Sequence, residues 1–518
     1  MCELLTLTQE TFWVPVKSTN EFVIFSGIFF IILDFIKIML KIPRINLMWL
    51  HFYERDGSRL DLKNYVDGQK DNMLKTLSDV VSINSVRGEE KADAPFGEGP
   101  KKCLNFVLEK AKELGFKTKN MDNYMGWAEL GEGSEMIAVM GHLDVVPEGS
   151  GWDKDPFSGQ VENGNIYGRG TMDDKGPTVA CLYALKAIKE SGLPLKRRIR
   201  ILFGTNEETG SDDMKYYREN GGEIPFCGFT PDGEYPVING EKGIINATFK
   251  KDLDQKSDLI LKKISGGTAF NVVPAHAKAE FTCQESLKKE ILADKKFSEK
   301  IKIEETKEGF IVEAKGLEAH ASTPEKGNNA IGNLLIAIKD FPMDKELKKA
   351  VVFLAEKIGL ETFGQSLGID IYDDNSGKLS LNMGVIEGDE NFLEVKLNYR
   401  YPVTRSYDEC APILDKQFDQ VGFKKIFEKH KNSLFVDENT EFIKILLDVY
   451  KEHTNFKPHT KSIGGGTYAK ALPNIVAFGP IFPGDEIREH LPNEYWEVEK
   501  IFLNMEIYAD AMYRLANM

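Results

Sequence analysis

Two spacings of apolar residues alternate through the first half of the chain. From Leu62 to Val81 the apolar positions Val66, Met73, Leu77 and Val81 fall at helical intervals, and KKCLNFVLEKAKELGF carries a second amphipathic period that Gly115 closes. MIAVMGHLDVV and RRIRILFGTNEE are instead short apolar or alternating runs ending in charged residues, the pattern of strands. Between them Gly176 and Pro177 open a helix in which Leu182, Leu185 and Ile188 recur at three-residue steps, and SGLP ends it. This alternation predicts an α/β fold with a doubly wound mixed sheet, whose ligand sites lie beyond the carboxyl ends of its strands.

After PDGEYPVINGEKG the rhythm is lost. Lys-rich, strand-like segments such as GFIVEAKGLEAH and LEVKLNYRYPV follow, and the α/β pattern returns at NTEFIKILLDVYKEH. The expected organisation is a discontinuous catalytic domain, residues 51–242 and 435–518, interrupted by an inserted α+β lid domain over 243–434. A length of 518 residues agrees with two or three cores.

Residues 1–50 stand apart. FVIFSGIFFIIL, from Phe22 to Leu33, is continuously apolar before Asp34 and Lys37 interrupt it, short of the roughly 20 apolar residues of a membrane-spanning helix. A secretory signal is disfavoured, because Glu3, Glu10 and Glu21 precede the run with only Lys17. The expectation is translation from an over-early start codon, with the folded protein beginning near Met48. A membrane anchor over residues 22–40 and a buried or interfacial helix are the other two readings.

Charge narrows the partners. A formal net charge of -15 argues against nucleic acid, which is bound through clustered Lys and Arg. The six cysteines are scattered without a CxxC pair, so neither a disulfide framework nor a thiolate metal site is expected, and a reducing cytoplasm fits.

Acidic residues gather at strand ends and adjoining loops in GHLDVVP, GRGTMDDKGP, GTNEETGS and TPDGEYP, with IREHLPNEYW near the carboxyl terminus. His142 and Asp144 sit two apart at a strand end, and residues at i and i+2 of a strand share a face. Each motif alone has an ordinary explanation: a satisfied core histidine for His142, a helix N-cap for Asp173 and Asp174. Adjacent Glu207 and Glu208 after an apolar strand repel each other unless a cation or proton offsets them. Together the stretches supply two histidines and several carboxylates, an N/O donor set suited to zinc or manganese.

These stretches, with FNVVPAHA and SIGGGTYAKALPN, resemble the signature of the dinuclear zinc exopeptidase family that includes PepV-type dipeptidases, succinyl-diaminopimelate desuccinylase, acetylornithine deacetylase and carboxypeptidase G. The resemblance runs from about Leu62 to the carboxyl terminus and is strongest to the PepV-type branch. It implies two Zn2+ ions, with Mn2+ or Co2+ as alternatives: His142 and Asp232 on one, Glu208 and His490 on the other, and Asp173 bridging both. It further implies that Asp144 orients His142, that the Asp173–Asp174 bond is cis, and that Glu207 is the general base. His320 would stabilise the oxyanion from the lid, and Asn271, Arg400, Gly465 and Gly466 would bind substrate. The implied activity is a cytoplasmic, monomeric dipeptidase acting on free amino-terminal dipeptides, Xaa-His or β-alanyl dipeptides included. An N-acyl amino acid deacylase using the same residues, or a non-catalytic metal-binding protein, are the rival readings.

Overall fold

In the computed structural model, residues 62–293 and 298–518 are described. The readings of residues 1–50, and residues 51–61 of the expected catalytic domain, lie outside the described residues.

All seven residues of the strand Met136–His142 are buried, as befits a central strand covered on both faces. It runs parallel to Arg198–Gly204 on one side and to Cys227–Thr230 on the other. Among the described residues the sheet has nine strands. Its order is Lys117–Met121, Met125–Leu130, Arg198–Gly204, Met136–His142, Cys227–Thr230, Ile475–Ala477, Val237–Glu241 and Leu434–Phe435, with Thr460–Ile463 also pairing Val237–Glu241. The pairing is mixed: Ile475–Ala477 is parallel to Cys227–Thr230, whereas Met125–Leu130 is antiparallel to Arg198–Gly204. Alternate side chains serve two cores. Ile137, Val139 and Phe203 face one that includes the helices Lys70–Val81, Lys175–Ser191, Glu441–His453 and Val498–Asn517. Ala138, Met140 and Leu202 face a smaller one with Met214, Tyr217 and Tyr468.

Helix Lys175–Ser191 is buried along most of its length and ends on Gly192, whose φ of 66° gives the left-handed cap that glycine adopts without strain. The period read as one helix from Leu62 to Val81 is divided in two. Residues 62–67 are helical, 68–69 turn, and Lys70–Val81 resumes. Gly68, with no side chain to pack and a high entropic cost of ordering, stands at the break.

Only Lys242 separates the strand Val237–Glu241 from Gly243–Asp252, the first strand of a second sheet. The crossing is tight: a Cβ on Gly243 would stand 1.9 Å from the Tyr401 ring. This sheet is antiparallel throughout. Its order is Ile301–Glu305, Gly309–Lys315, His276–Thr282, Ile260–Gly266, Ser380–Asp389, Phe392–Tyr401, Gly243–Asp252 and Lys424–Lys431. Helices Ala330–Ile338, Lys345–Lys357 and Ala411–Gln420 share its separate core. The fold is thus a mixed α/β sheet domain carrying an antiparallel, helix-backed lid. Among the described residues, no helix is long and apolar enough to cross a membrane.

Candidate metal centre

Three neighbouring parallel strands end at the same edge of the first sheet, and acidic or imidazole side chains follow each. His142 is the last residue of its strand, Glu207 and Glu208 come just after Arg198–Gly204, and Asp232 just after Cys227–Thr230. Asp173 stands in the turn leading into helix Lys175–Ser191, where the Asp173–Asp174 peptide bond is cis. His490 arrives from the loop before Tyr495–Glu497, at a φ of 62°.

These residues converge on one carboxylate. His142 Nε2 lies 3.0 Å from Asp173 Oδ1, and His490 Nε2 lies 2.9 Å from Asp173 Oδ2. Glu208 Oε1 is 3.3 Å from His490 Nε2, and Asp232 Oδ2 is 4.0 Å from His142 Nε2. Two triads result, His142–Asp173–Asp232 and Asp173–Glu208–His490, each with one N or O donor per residue and all donors within 4.8 Å of one another.

The charge balance points to cations. Burial, followed by the Asp173 charge, pushes Asp232 well above the usual carboxylate range and raises Glu208. Burial and the neighbouring Glu208 carry Glu207 up to about 8, against the pull of His142. Among the described residues, buried Glu208 Oε1 has only the His490 imidazole near it, at 3.3 Å, and no well-formed hydrogen bond. Burial pushes His142 down, but Asp144 and Asp173 hold its imidazolium well above the ordinary value. Asp173 and Glu208 lift His490 to about 11. Desolvated carboxylates around imidazole nitrogens, with no lysine or arginine among them, form a donor set that fits two divalent cations.

A ring of buried carboxylates holds the backbone that carries these donors. Asp174 Oδ2 accepts the His142 amide at 3.0 Å. The two oxygens of Asp144 accept the amides of Glu207 and Glu208, each at 3.1 Å. Asp213 Oδ2 accepts the amides of Thr205 at 2.7 Å and Asn206 at 3.0 Å. Glu494 Oε1 accepts those of Gly170 at 3.1 Å, Met172 at 2.9 Å and Asp173 at 3.4 Å. Asp144 lies against His142, as expected of an orienting residue, and also holds the neighbouring turn. His142 Nδ1 donates to its backbone carbonyl at 3.0 Å, its carboxylate standing farther at 3.5 Å, because that carboxylate is turned toward the Glu207–Glu208 turn. Sequence reasoning passed over Arg169, Asp213 and Glu494. The available signal was their place inside GRGTMDDKGP, NEETGSDDM and HLPNEYW, each beside a candidate donor.

The lid residues gather at the junction of the two sheets. Arg400 is only 3 % exposed, so it is no surface strand arginine. Its Nη1 donates to the Gly464 carbonyl at 2.7 Å, its Nε to Asn398 Oδ1 at 2.9 Å, and its Nη2 is 3.4 Å from His320 Nε2. Burial and the Arg400 charge drive the His320 pKa down to about 4, leaving a neutral ring. Asn271 neighbours His320 through the Val272–His320 bridge, and its side chain is exposed. A Cβ on Gly464 would meet Ser322 at 2.6 Å and one on Gly466 would meet Lys470 Nζ at 3.2 Å, whereas one on Gly465 would make only an ordinary contact with Ile463 at 3.6 Å. Among the described residues, no hydrogen bond or ion pair joins this lid group to the Asp173 triads.

Curated relatives share most of this chain. A Bacillus subtilis (strain 168) protein named Putative dipeptidase YtjP is 36% identical over 464 residues, covering 86% of this chain and 98% of the relative. A Staphylococcus epidermidis protein with the name Putative dipeptidase is 34% identical, covering 86% of this chain and 97% of its own. Among solved structures, the di-peptidase Dug1p from Saccharomyces cerevisiae has the same fold, with a TM-score of 0.54, 15% identity, and coverage of 89% of this chain and 99% of that one. Residues 138–514, which include both triads, match peptidase family M20/M25/M40, and the chain belongs to that family as a hydrolase of peptide bonds.

Proposed function

We propose that the chain is a dinuclear metal-dependent dipeptidase that cleaves dipeptides with a free amino terminus. The observation that carries the reading is Asp173, whose two oxygens are shared between His142 and His490. His142, Asp173 and Asp232 would hold one cation, and Asp173, Glu208 and His490 the other, read as zinc, with manganese or cobalt as alternatives that the same N/O donors accept. Bound there, the cations polarise the scissile carbonyl and lower the pKa of an attacking water.

Glu207 does the proton work in this reading. Its carboxyl precedes a donor residue yet belongs to neither triad, which leaves it free to take the proton of the attacking water and deliver it to the leaving amine. Asp144 fixes the turn on which Glu207 stands through both turn amides. His320, kept neutral by burial and Arg400, would stabilise the developing oxyanion from the lid once closure frees a ring N–H from Arg400 and Ser322. Arg400, with the backbone at Gly465 and Gly466, binds the terminal carboxylate of the substrate, for which a planar guanidinium is suited. Asn271 lies beside His320 and assists at the same end. Since these groups sit on the lid side of the junction, closure brings them to the triads, and a lid of this size excludes longer chains. The names of the relatives support the dipeptide substrate. The chain is read as a cytoplasmic monomer.

The test is a comparison of turnover by metal-loaded enzyme on free dipeptides, including β-alanyl and Xaa-His dipeptides, tripeptides and N-acetyl amino acids. Free dipeptides are expected to be cleaved fastest. Preference for the acetylated substrates would instead establish an N-acyl amino acid deacylase.

A further inference from the structure

The strand Lys424–Lys431 forms one edge of the lid sheet and carries five basic residues. Part of this charge is locally answered. Lys425 pairs with Asp415 at 2.7 Å and with Glu428 at 2.6 Å, and His430 Nε2 meets the Tyr401 hydroxyl at 2.9 Å. Lys429 and Lys431 are different. They are two apart on one strand, so they share a face, and among the described residues no carboxylate lies within ion-pair distance of either.

Their position places them at the reaction centre's flank. A Cβ on Gly210, three residues after Glu207, would lie 3.5 Å from Lys429 Nζ. The Lys431 charge acts on Glu207, on buried Glu241 and on Lys470. Arg400 and Lys470 complete this wall around Gly464–Gly466, where Glu241 is the carboxylate that faces Lys470, while Asp212 flanks Gly210. Glu241 is already engaged by Thr467, accepting its amide at 3.0 Å and its hydroxyl at 2.8 Å. Arg400 suffices for the one carboxylate that every dipeptide carries at its end. Lys429 and Lys431 are then left without an ion-pair partner on the flank of the turn that carries Glu207, Lys429 against Gly210 and Lys431 within reach of the Glu207 charge. Because Glu207 hands its proton to the leaving amine, what stands next to Glu207 stands next to the residue that departs.

We propose that Lys429 and Lys431 form a subsite for a carboxylate side chain on the residue carboxyl-terminal to the scissile bond, so that dipeptides ending in Asp or Glu are preferred substrates. This inference rests on the dipeptidase reading above. Both lysines lie on an edge strand facing solvent in part, so replacing them leaves the lid core intact. Removing Lys431 also alters Glu207, but that effect is common to all substrates and cancels in a ratio.

The test measures kcat/KM for Ala-Glu, Ala-Gln and Ala-Lys with the metal-loaded full-length enzyme. The wild type is expected to favour Ala-Glu over Ala-Gln by about tenfold, the size of one charge-assisted contact. The Lys429→Gln/Lys431→Gln variant brings that ratio close to one, and the Lys429→Glu/Lys431→Glu variant turns the preference toward Ala-Lys, a reversal that mere structural damage does not produce. A wild-type ratio near one, or a ratio unchanged in both variants, overturns the subsite while leaving the dipeptidase reading in place. Cleavage of N-acetyl amino acids with no dipeptide turned over removes the dipeptidase reading and the subsite with it.

Discussion

Arg169 and Glu494 form an ion pair of 2.7 Å in which the two side chains are 1 % and 0 % exposed. The second oxygen of Glu494 receives three loop amides, those of Gly170, Met172 and Asp173. One buried carboxylate thus neutralises an arginine and shapes the turn that presents the shared donor. Glu494→Ala leaves the Arg169 charge with only the Leu491 and Glu148 carbonyls and leaves those amides unanswered in the interior, and breaking a buried pair in this way costs about 3 kcal/mol or more. Urea unfolding of the metal-free protein is expected to show that loss, and Glu494→Gln, which keeps an acceptor for the amides, to show a smaller one. Equal stability of Glu494→Ala and wild type would remove the argument.

Glu207 separates catalysis from metal binding. It lies outside both triads, so Glu207→Gln is expected to retain full metal content while kcat falls about a thousandfold, the range of general acid–base assistance. Metal analysis beside steady-state kinetics on a free dipeptide reads both quantities. Turnover at the wild-type rate with normal metal content would reassign the base.

The pattern of strands ending in charged residues was enough to place His142, Glu207 and Glu208 at one sheet edge, because burial on both faces leaves a parallel strand nothing polar until it ends. Helix Lys175–Ser191 was legible from its Gly-Pro start and glycine stop. Asp232 and His490 depended on resemblance, since no local period links residues so far apart in the chain. The supporting carboxylates were not legible. Asp213 and Glu494 look like solvated surface acids in sequence, and only the fold reveals that each accepts loop amides in the interior. The direction of the Asp144 carboxylate was equally hidden, because i and i+2 spacing fixes a face and not a rotamer.

Metal loading should release protons. In the metal-free protein Asp173 and Glu208 hold His490 up to about 11, above the unfolded value of about 6.5. A group raised in this way contributes stability that is fully present below roughly pH 6.5 and is lost as pH climbs toward about 11. Metal ligation needs the neutral imidazole, so cation affinity runs the other way. Chelator competition is expected to show affinity rising up to about tenfold per pH unit for each proton displaced, over roughly pH 6 to 8. Calorimetry in buffers of different ionisation heat counts those protons. A pH-independent affinity with no proton release is incompatible with the two imidazole donors.

Asp144 links the two halves of the site. Its oxygens accept the amides of Glu207 and Glu208, and its carbonyl holds His142 Nδ1. Asp144→Asn keeps the carbonyl and one amide acceptor but turns an NH2 toward the other backbone N–H. The Glu207–Glu208 turn must then shift, moving a donor and the base together. Loss of an outer hydrogen-bond partner of this kind lowers metal affinity or activity by about 10–100-fold, and here both are expected to fall in the same variant. Asp144→Ala removes both acceptors and is expected to fall further, whereas a role confined to the backbone carbonyl that holds His142 Nδ1 predicts little change in either. Metal titration and kcat on a single dipeptide, measured for both variants, separate the two roles.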